Sequence, residues 1–477
     1  MLTGHSHSHP QARVQPNTHS NRIDMTKGPL LGKIVKFAIP VALANLLQLT
    51  FDAADLAVIG RWSLYGHRSL AAIGATNAVT NLMLILTFGI AGGAQVVAAQ
   101  CYGARDNRGI SHAFHTGIAL GVWSGLILMV LGVTLSRGLM IMMRTPADII
   151  DQATLYLRLR FLGMPFTMVY IFGCVLMRAV GDTRRPLIYL SVAGVINVLL
   201  NMFFVIVLKW DVAGVAVATA AAKGISALLV MIALMRNPAP CRIILSKVKL
   251  YIPELKRILW IGVPSGLQSS SYSISNVIIA AAINTLGTVA VAGNTASGMV
   301  ESVIHVGTFT MYHSVLAFGG QNYGAREYRR AARAFLICLW ISVSFNFVFG
   351  WGAYLCGRPL LGVVNPDPAV IEQGMLRFQV NFTTYFIAGI LDIVGGGLRS
   401  LGRSVAPMIV TMLCVCVFRI VWIFTVFPKY HTPTSLYISY PISWSLVVLV
   451  NGTMLILVCR KLIRYGEDEC RLARRRA

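Results

Sequence analysis

The chain repeats itself. Residues 98–114 read AAQCYGARDNRGISHAF, and 221 positions later residues 319–335 read GGQNYGAREYRRAARAF, with 8 of 17 positions identical. At the same offset Arg178, Gly181 and Pro186 meet Arg399, Gly402 and Pro407, and a looser register sets Pro40 against Pro264. An internal duplication of this length confines the fold to two similar halves. Whatever the protein handles is expected between them.

The halves belong in a bilayer. A soluble chain carries about a quarter charged residues, whereas this one has 12% charged and 56% hydrophobic, with a mean hydropathy of +0.69. Crossing the hydrocarbon takes about 20 apolar residues. Such stretches lie near 34–59, 69–97, 110–136, 154–177, 187–208, 212–235, 256–284, 289–318, 334–357, 373–397, 405–427 and 436–459. The predicted fold class is therefore all-α integral membrane: twelve transmembrane helices as two six-helix lobes around a central cavity. An even number of spans per half returns the chain to its starting side, so the repeats are parallel rather than inverted. Of the 41 Lys and Arg residues, 29 fall on the side of the termini, 7 on the other side and 5 within spans. The excess of basic residues predicts that both termini are cytoplasmic.

The expected divisions are a disordered tail over 1–24, an N-lobe of helices 1–6 over 25–235, a cytoplasmic linker over 236–257, a C-lobe of helices 7–12 over 258–464, and a basic cytoplasmic tail over 465–477. His5, His7 and His9 could chelate a transition metal, but the favoured reading is a flexible terminus, or translation from Met25; no metal site is assigned. The net charge of +24 is spread over short loops and the C-terminal tail, where anionic headgroups attract it. Membrane lipids, not nucleic acid, are the expected partners. Nine cysteines occur without paired spacing, which argues against a disulfide framework. No HExxH, GxSxG or GxxxxGK[ST] motif occurs, so no catalytic residue is assigned and an enzyme is the less favoured class.

Polar groups inside the spans carry the functional signal, because an ionisable side chain at the bilayer centre costs about 3 kcal/mol or more and faces a cavity or a partner. Four acids are so placed: Asp52, Asp55, Glu301 and Asp392. Asn45, Gln48, Asp52 and Asp55 share about 80° of one helix face. Glu301 and His305, at i and i+4, are close enough to exchange a proton, and Asn197 and Asn201 form a second such pair. Burial disfavours the charged form of a carboxylate, so these acids could load and release a proton; with the asparagines they would equally suit Na⁺. The candidate ion-coupling residues are Asp55, Asn197, Asn201, Asp52, Glu301, His305 and Asp392. Gln48, Gln268, Tyr272, Asn276 and Tyr312 are candidates for the substrate cavity. Lys223 and Arg419 are read as charge partners, and Arg158 and Arg160 as snorkelling to the outer surface. Pro40 and Pro264, each inside the opening helix of a half, remove a hydrogen bond and are candidate hinges or static kinks. In YGAR and LRSLG, glycine is expected to make the turn and arginine to anchor in the headgroups.

The duplicated Q-x-Y-G-A-R after the second and eighth spans, with R-x-x-G-x-x-x-x-P after the fourth and tenth, resembles the multidrug and toxic compound extrusion (MATE) family. MTKGPLLGKIVKFAIPVALANLLQLTFDAADLAVIGRW is similar to the family's opening segment, and GVPSGLQSSSYSISN, AVAGNTASGMVES, GGQNYGARE and RIVWIFTVFP to a bacterial subgroup. The resemblance covers nearly the whole chain from Met25. It implies lobes arranged in a V, alternating access, and export of small organic cations or drugs across the bacterial inner membrane by a monomeric antiporter that needs no cofactor beyond its coupling ion, H⁺ or Na⁺. It places Asp55 at the acid of the family's first helix, Asn197 and Asn201 at the asparagine pair of the fifth, and Asp392 at an acidic position of the tenth in this subgroup. Three departures stand out. QSSSY, Gln268 to Tyr272, lacks the seventh-helix glutamate of some Na⁺-coupled members; Asp52 stands where relatives commonly have asparagine; Ser400 replaces a usual glycine. The nearest alternative cargo is a lipid-linked oligosaccharide, which calls for a more basic cavity.

Overall fold

The computed structural model describes residues 22–63, 66–143 and 145–476. The first 21 residues, with His5, His7 and His9, lie outside them. Every regular element among the described residues is helical. The first half comprises α1 (Leu30–Trp62), α2 (His67–Gly103), α3 (Asn107–Met142), α4 (Ile150–Leu162 with Met164–Ala179), α5 (Arg184–Met202) and α6 (Asp211–Met235). The second comprises α7 (Ile252–Asn284), α8 (Thr288–Gly324), α9 (Tyr328–Leu355), α10 (Pro368–Arg377 with Tyr385–Ser400), α11 (Val405–Thr411 continuing through Phe418–Thr425) and α12 (Pro433–Arg476).

Eight helices are long and apolar enough to cross a membrane, and α4 and α10 qualify as bent pairs, giving up to ten. The remaining two of the twelve expected spans are α7 and α8, 33 and 37 residues long. Many of their polar residues face protein rather than lipid: Gln268, Ser271 and Ser275 of α7 and Ser297, Thr308, Thr310 and Ser314 of α8 are buried. The outside of the bundle is apolar, with Trp340, Leu355, Phe424 and Leu449 among its most exposed large side chains, as contact with hydrocarbon requires.

The bends also obey the duplication. Both α4 and α10 bend by 47°, at breaks one repeat apart in sequence. In α4 the second half restarts with Pro165 in its first turn, where a missing N–H costs nothing. In α10 a π-helical turn, Phe378–Phe382, precedes the break and loosens the ladder. Pro40 and Pro264, by contrast, sit within helices that continue through them.

Candidate functional site

The two lobes meet along α1, α2, α7 and α8. Near the end where the chain begins, the backbones of α2 and α8 nearly touch: a Cβ added to Gly103 would stand 1.9 Å from the Gln321 carbonyl oxygen, and one added to Gly324 would stand 1.9 Å from that of Gln100. Only glycine permits that approach. Gly89 and Gly93 of α2 also lie close to α7, where an added Cβ would stand 2.3 Å from Gly266 N and 2.9 Å from Gly262 N.

Across this seam the duplicated glutamines make reciprocal bonds. Gln100 Nε2 donates to the Ser400 carbonyl at 2.9 Å, and Gln321 Nε2 donates to the Ala179 carbonyl at 2.7 Å; both side chains are buried. Deeper along the seam, Gln95 Oε1 lies 2.9 Å from His313 Nδ1 and Gln95 Nε2 donates to the His313 carbonyl at 3.2 Å. Asn45 Nδ2 reaches Thr310 Oγ1 at 3.5 Å. Beyond that level, away from the seam, Asp52 and His305 are exposed. Charged and polar groups at this depth avoid lipid, which makes the space between α1 and α8 the candidate cleft.

The N-lobe cluster centres on Asp55 of α1. Its carboxylate accepts from Asn201 Nδ2 at 2.5 Å and from Thr219 Oγ1 at 3.2 Å. Asn201 also donates to Asn197 Oδ1 at 3.4 Å, and Asn197 donates to Thr219 at 3.5 Å. The i, i+4 spacing on α5 therefore aims both asparagines at one acid, and a π-helical turn, Phe203–Val207, follows at once. Asn201 Oδ1 is buried with no hydrogen-bond donor among the described residues. Asp55, Asn197, Thr219, Asp52, Gln48 and Lys223 line a cavity of about 30 Å³. That is room for a water molecule or a bare ion, not for a drug. Beside it, Lys223 Nζ donates to Gln48 Oε1 and Gln48 Nε2 to Asp52 Oδ1, both at 2.8 Å. Lys223 is thus tied to Asp52 through Gln48 and contacts neither acid directly.

The C-lobe separates its acids. Glu301 is held by Arg377 of α10, which also donates to Asn294 Oδ1 at 2.7 Å. His305 Nε2 instead faces Asp392 Oδ2 at 3.8 Å, with side-chain exposures of 51% and 33%. Spacing alone suggested a Glu301–His305 proton pair; the guanidinium of Arg377 takes the glutamate, and the histidine joins α8 to α10. Arg419, 1% exposed, donates to Ser443 at 3.0 Å and Asn276 Oδ1 at 3.3 Å and stacks 4.0 Å from the Tyr440 ring. Among the described residues it pairs with no carboxylate.

The loop motifs differ from their sequence reading. Gly181 and Gly402 do make turns, at φ +87° and +79°, but in YGAR the left-handed residues are Arg105 and Arg326, while Gly103 and Gly324 end their helices. Arg399 is no headgroup anchor: it is 8% exposed, donating to Gln268 Oε1 at 2.6 Å and Tyr312 OH at 2.5 Å. Gln268 passes the contact on to Thr411 at 2.8 Å. Arg160 bonds Tyr156 OH at 2.8 Å instead of reaching the surface. Thr219, Arg377 and the glutamine latch were not singled out from sequence. A threonine four residues before the span's one lysine was the available signal for the first, and the duplication itself for the last.

A family model described as MatE matches residues 40–203 and 264–425, and so begins each segment at Pro40 and Pro264. The chain is 22% identical to the probable multidrug resistance protein YoeA of Bacillus subtilis over 80% of its length and 83% of that protein. It is also 22% identical to the FAD transporter of Shewanella oneidensis, over 82% and 87%. Among solved structures, an outward-facing multidrug resistance MATE family transporter of the MOP superfamily superposes with a TM-score of 0.85 at 19% identity, over 93% of this chain and 99% of that one. The duplicated matches and the shared twelve-helix fold lead to one assignment: the chain is a multi-pass membrane transporter, not an enzyme, and belongs to the multidrug and toxic compound extrusion family.

Proposed function

We propose that this chain is a monomeric secondary antiporter of a bacterial inner membrane, with both termini cytoplasmic, exporting amphipathic organic cations in exchange for H⁺ or Na⁺ by alternating access. The observation that carries the reading is the Asp55 cluster, in which Asn201 and Thr219 bond the carboxylate and Asp55, Asn197 and Thr219 line a cavity of ion size. An ion that neutralises Asp55 changes the hydrogen bonding of α1, α5 and α6 together, and α1 is also a seam helix. Asp52 tunes this cluster through Gln48, while His305 and Asp392 supply a second titratable pair on the C-lobe wall. Tyr272, Tyr312 and Asn276 line the cargo side, Gln268, buried between Arg399 and Thr411, braces it from behind, and Pro40 and Pro264 let α1 and α7 flex. On this reading the seam closes the basic, cytoplasmic end and the cleft faces outward.

The test is efflux of fluorescent cations from proteoliposomes under separately imposed proton and sodium gradients. Asp55→Asn should abolish gradient-driven efflux and leave cargo binding intact; retained efflux in both Asp55→Asn and Asp392→Asn refutes the coupling assignment. One observation favours a second reading, an anionic or lipid-linked cargo: buried Arg419 has no carboxylate partner among the described residues. Competition of efflux by a dinucleotide rather than by organic cations would select it.

A further inference from the structure

The N-lobe cavity that Asp55 lines carries a cation of its own. Thr219 and Lys223 stand one turn apart on α6 and so share a face, and both border the space of about 30 Å³ together with Asp52 and Asp55. The surroundings of Lys223 suit an ammonium. Its Nζ donates to Gln48 Oε1 at 2.8 Å and lies 5.3 Å from the centre of the Tyr170 ring, whose face attracts a cation. Gln48 in turn donates to Asp52 Oδ1 at 2.8 Å, so one amide holds ammonium and carboxylate at fixed places on the cavity wall. The charged and titratable groups that act on Lys223 are Asp52 and Asp55 of α1 and Arg160 and Cys174 of α4.

Arg160 acts on both acids as well. Among the described residues, the two carboxylates are thus matched by two built-in cations, and the charge of the site does not call for a third. The hydrogens point the same way. Asn201 Nδ2 and Thr219 Oγ1 turn theirs toward the Asp55 carboxylate, and an ammonium offers donors alone, whereas a hard cation such as sodium must be met by several oxygen lone pairs. A proton brings the same charge, but it ends as an O–H bond on Asp55 and needs neither room nor further ligands.

We propose that Lys223 sets the ion selectivity of this site: its ammonium is a resident cation that closes the N-lobe cavity to sodium and reserves Asp55 for a proton. The inference rests on the reading of Asp55 as the coupling acid, but exclusion of sodium is a property of binding and is measured without transport.

The test titrates the purified full chain in neutral detergent with sodium chloride, choline chloride holding the ionic strength constant, and follows thermal unfolding. Wild type should show no sodium-specific shift. Lys223→Met and Lys223→Gln, which differ in polarity but both lack the charge, should gain one, with a half-effect sodium concentration at least about tenfold below any in wild type. That factor is the effect of a unit charge within roughly 12 Å at an effective dielectric constant of about 20. Adding Asp55→Asn should abolish the gain, and Lys223→Arg should stay silent. A sodium response of wild type that Asp55→Asn removes overturns the proposal, and so do uncharged variants as silent as wild type. Unfolding temperatures in choline alone check folding, and if neither uncharged variant folds, the wild-type titration decides. In proteoliposomes a proton gradient should drive wild-type efflux and a sodium gradient should not. Efflux on a sodium gradient overturns the inference and keeps the antiporter; efflux on neither gradient refutes the antiporter, while the sodium titration still decides the role of Lys223.

Discussion

The glycines at the seam allow a strong test of alternating access, because substitution there penalises one conformation only. In Gly103→Ala/Gly324→Ala each new methyl carbon would sit 1.9 Å from a carbonyl oxygen of the opposite lobe, where ordinary contact begins at 3.4 Å. The α2 and α8 backbones must therefore part by about 1.5 Å at both points. Overpacking of this kind costs about 1–3 kcal/mol per site, and the glutamine bonds at 2.9 and 2.7 Å stretch with it, at about 1 kcal/mol each. A state in which the lobes have separated at this end pays none of this. Even about 3 kcal/mol moves the balance between the two states more than a hundredfold, enough to make the state open at the seam dominant. Spin labels at Asn107 and Glu327, both exposed beside the seam, should report a longer distance in the double variant, and efflux should fall while the protein stays folded. Gly452→Ala, where an added Cβ meets nothing within 4 Å, is the control. A distance distribution and an efflux rate indistinguishable from that control would show that the seam is fixed packing rather than a gate.

Three further outcomes follow from the same geometry. Gln100→Leu/Gln321→Leu removes both reciprocal bonds without adding bulk to the backbone contact, and should shift the spin-label distances in the same direction by a smaller population change, about tenfold to thirtyfold. Glu301→Gln leaves Arg377, only 11% exposed, without its counter-charge; it should cost about 3 kcal/mol or more in thermal unfolding, and adding Arg377→Met should restore most of that loss. Asn201→Leu takes the 2.5 Å donor from Asp55, which lines the candidate ion cavity. Ion-driven efflux should be lost while cargo still binds in a fluorescence titration, whereas loss of both together would mean the asparagine serves packing alone.

How far the sequence could be read depended on whether the information was local. Apolar run lengths and the offset of 221 predicted a two-lobed membrane bundle, and that is the observed architecture, down to matched bends in α4 and α10. The stripe on α1 and the asparagine pair on α5 were visible because i, i+4 spacing is a property of a single helix. Partners on other helices were not. Glu301 had a histidine at the right spacing, and nothing local could show that Arg377, 76 residues on, would take it. Arg399 read as a surface anchor because it stands at the end of a span; only the packing of α10 against α7 and α8 turns it inward to Gln268 and Tyr312. Gly103 and Gly324 read as turn residues because a glycine after a helix usually is one, whereas their role is defined by a carbonyl in the other half of the chain.

The two kinds of site also differ in how strictly they keep the duplication, and geometry accounts for this. At the seam, each glutamine of one lobe finds its acceptor on the backbone of the other, and each glycine makes room for the opposite helix. Such a self-complementary contact uses the same residues on both sides, as in a two-fold dimer interface, so a change to one half must be matched in the other. The Asp55 cluster lies wholly within the N-lobe and carries no such constraint. At the offset of 221, Asn197 and Asn201 meet Phe418 and Trp422, and in the register that sets Pro40 against Pro264, Asp55 meets Ile279. The C-lobe thus offers aromatic surface and a buried arginine where the N-lobe offers oxygen ligands. On the antiport reading proposed above, a symmetric seam flanked by dissimilar lobes would let ion and cargo occupy separate lobes while both act on the same closing contact, which is the arrangement that exchange of one for the other requires.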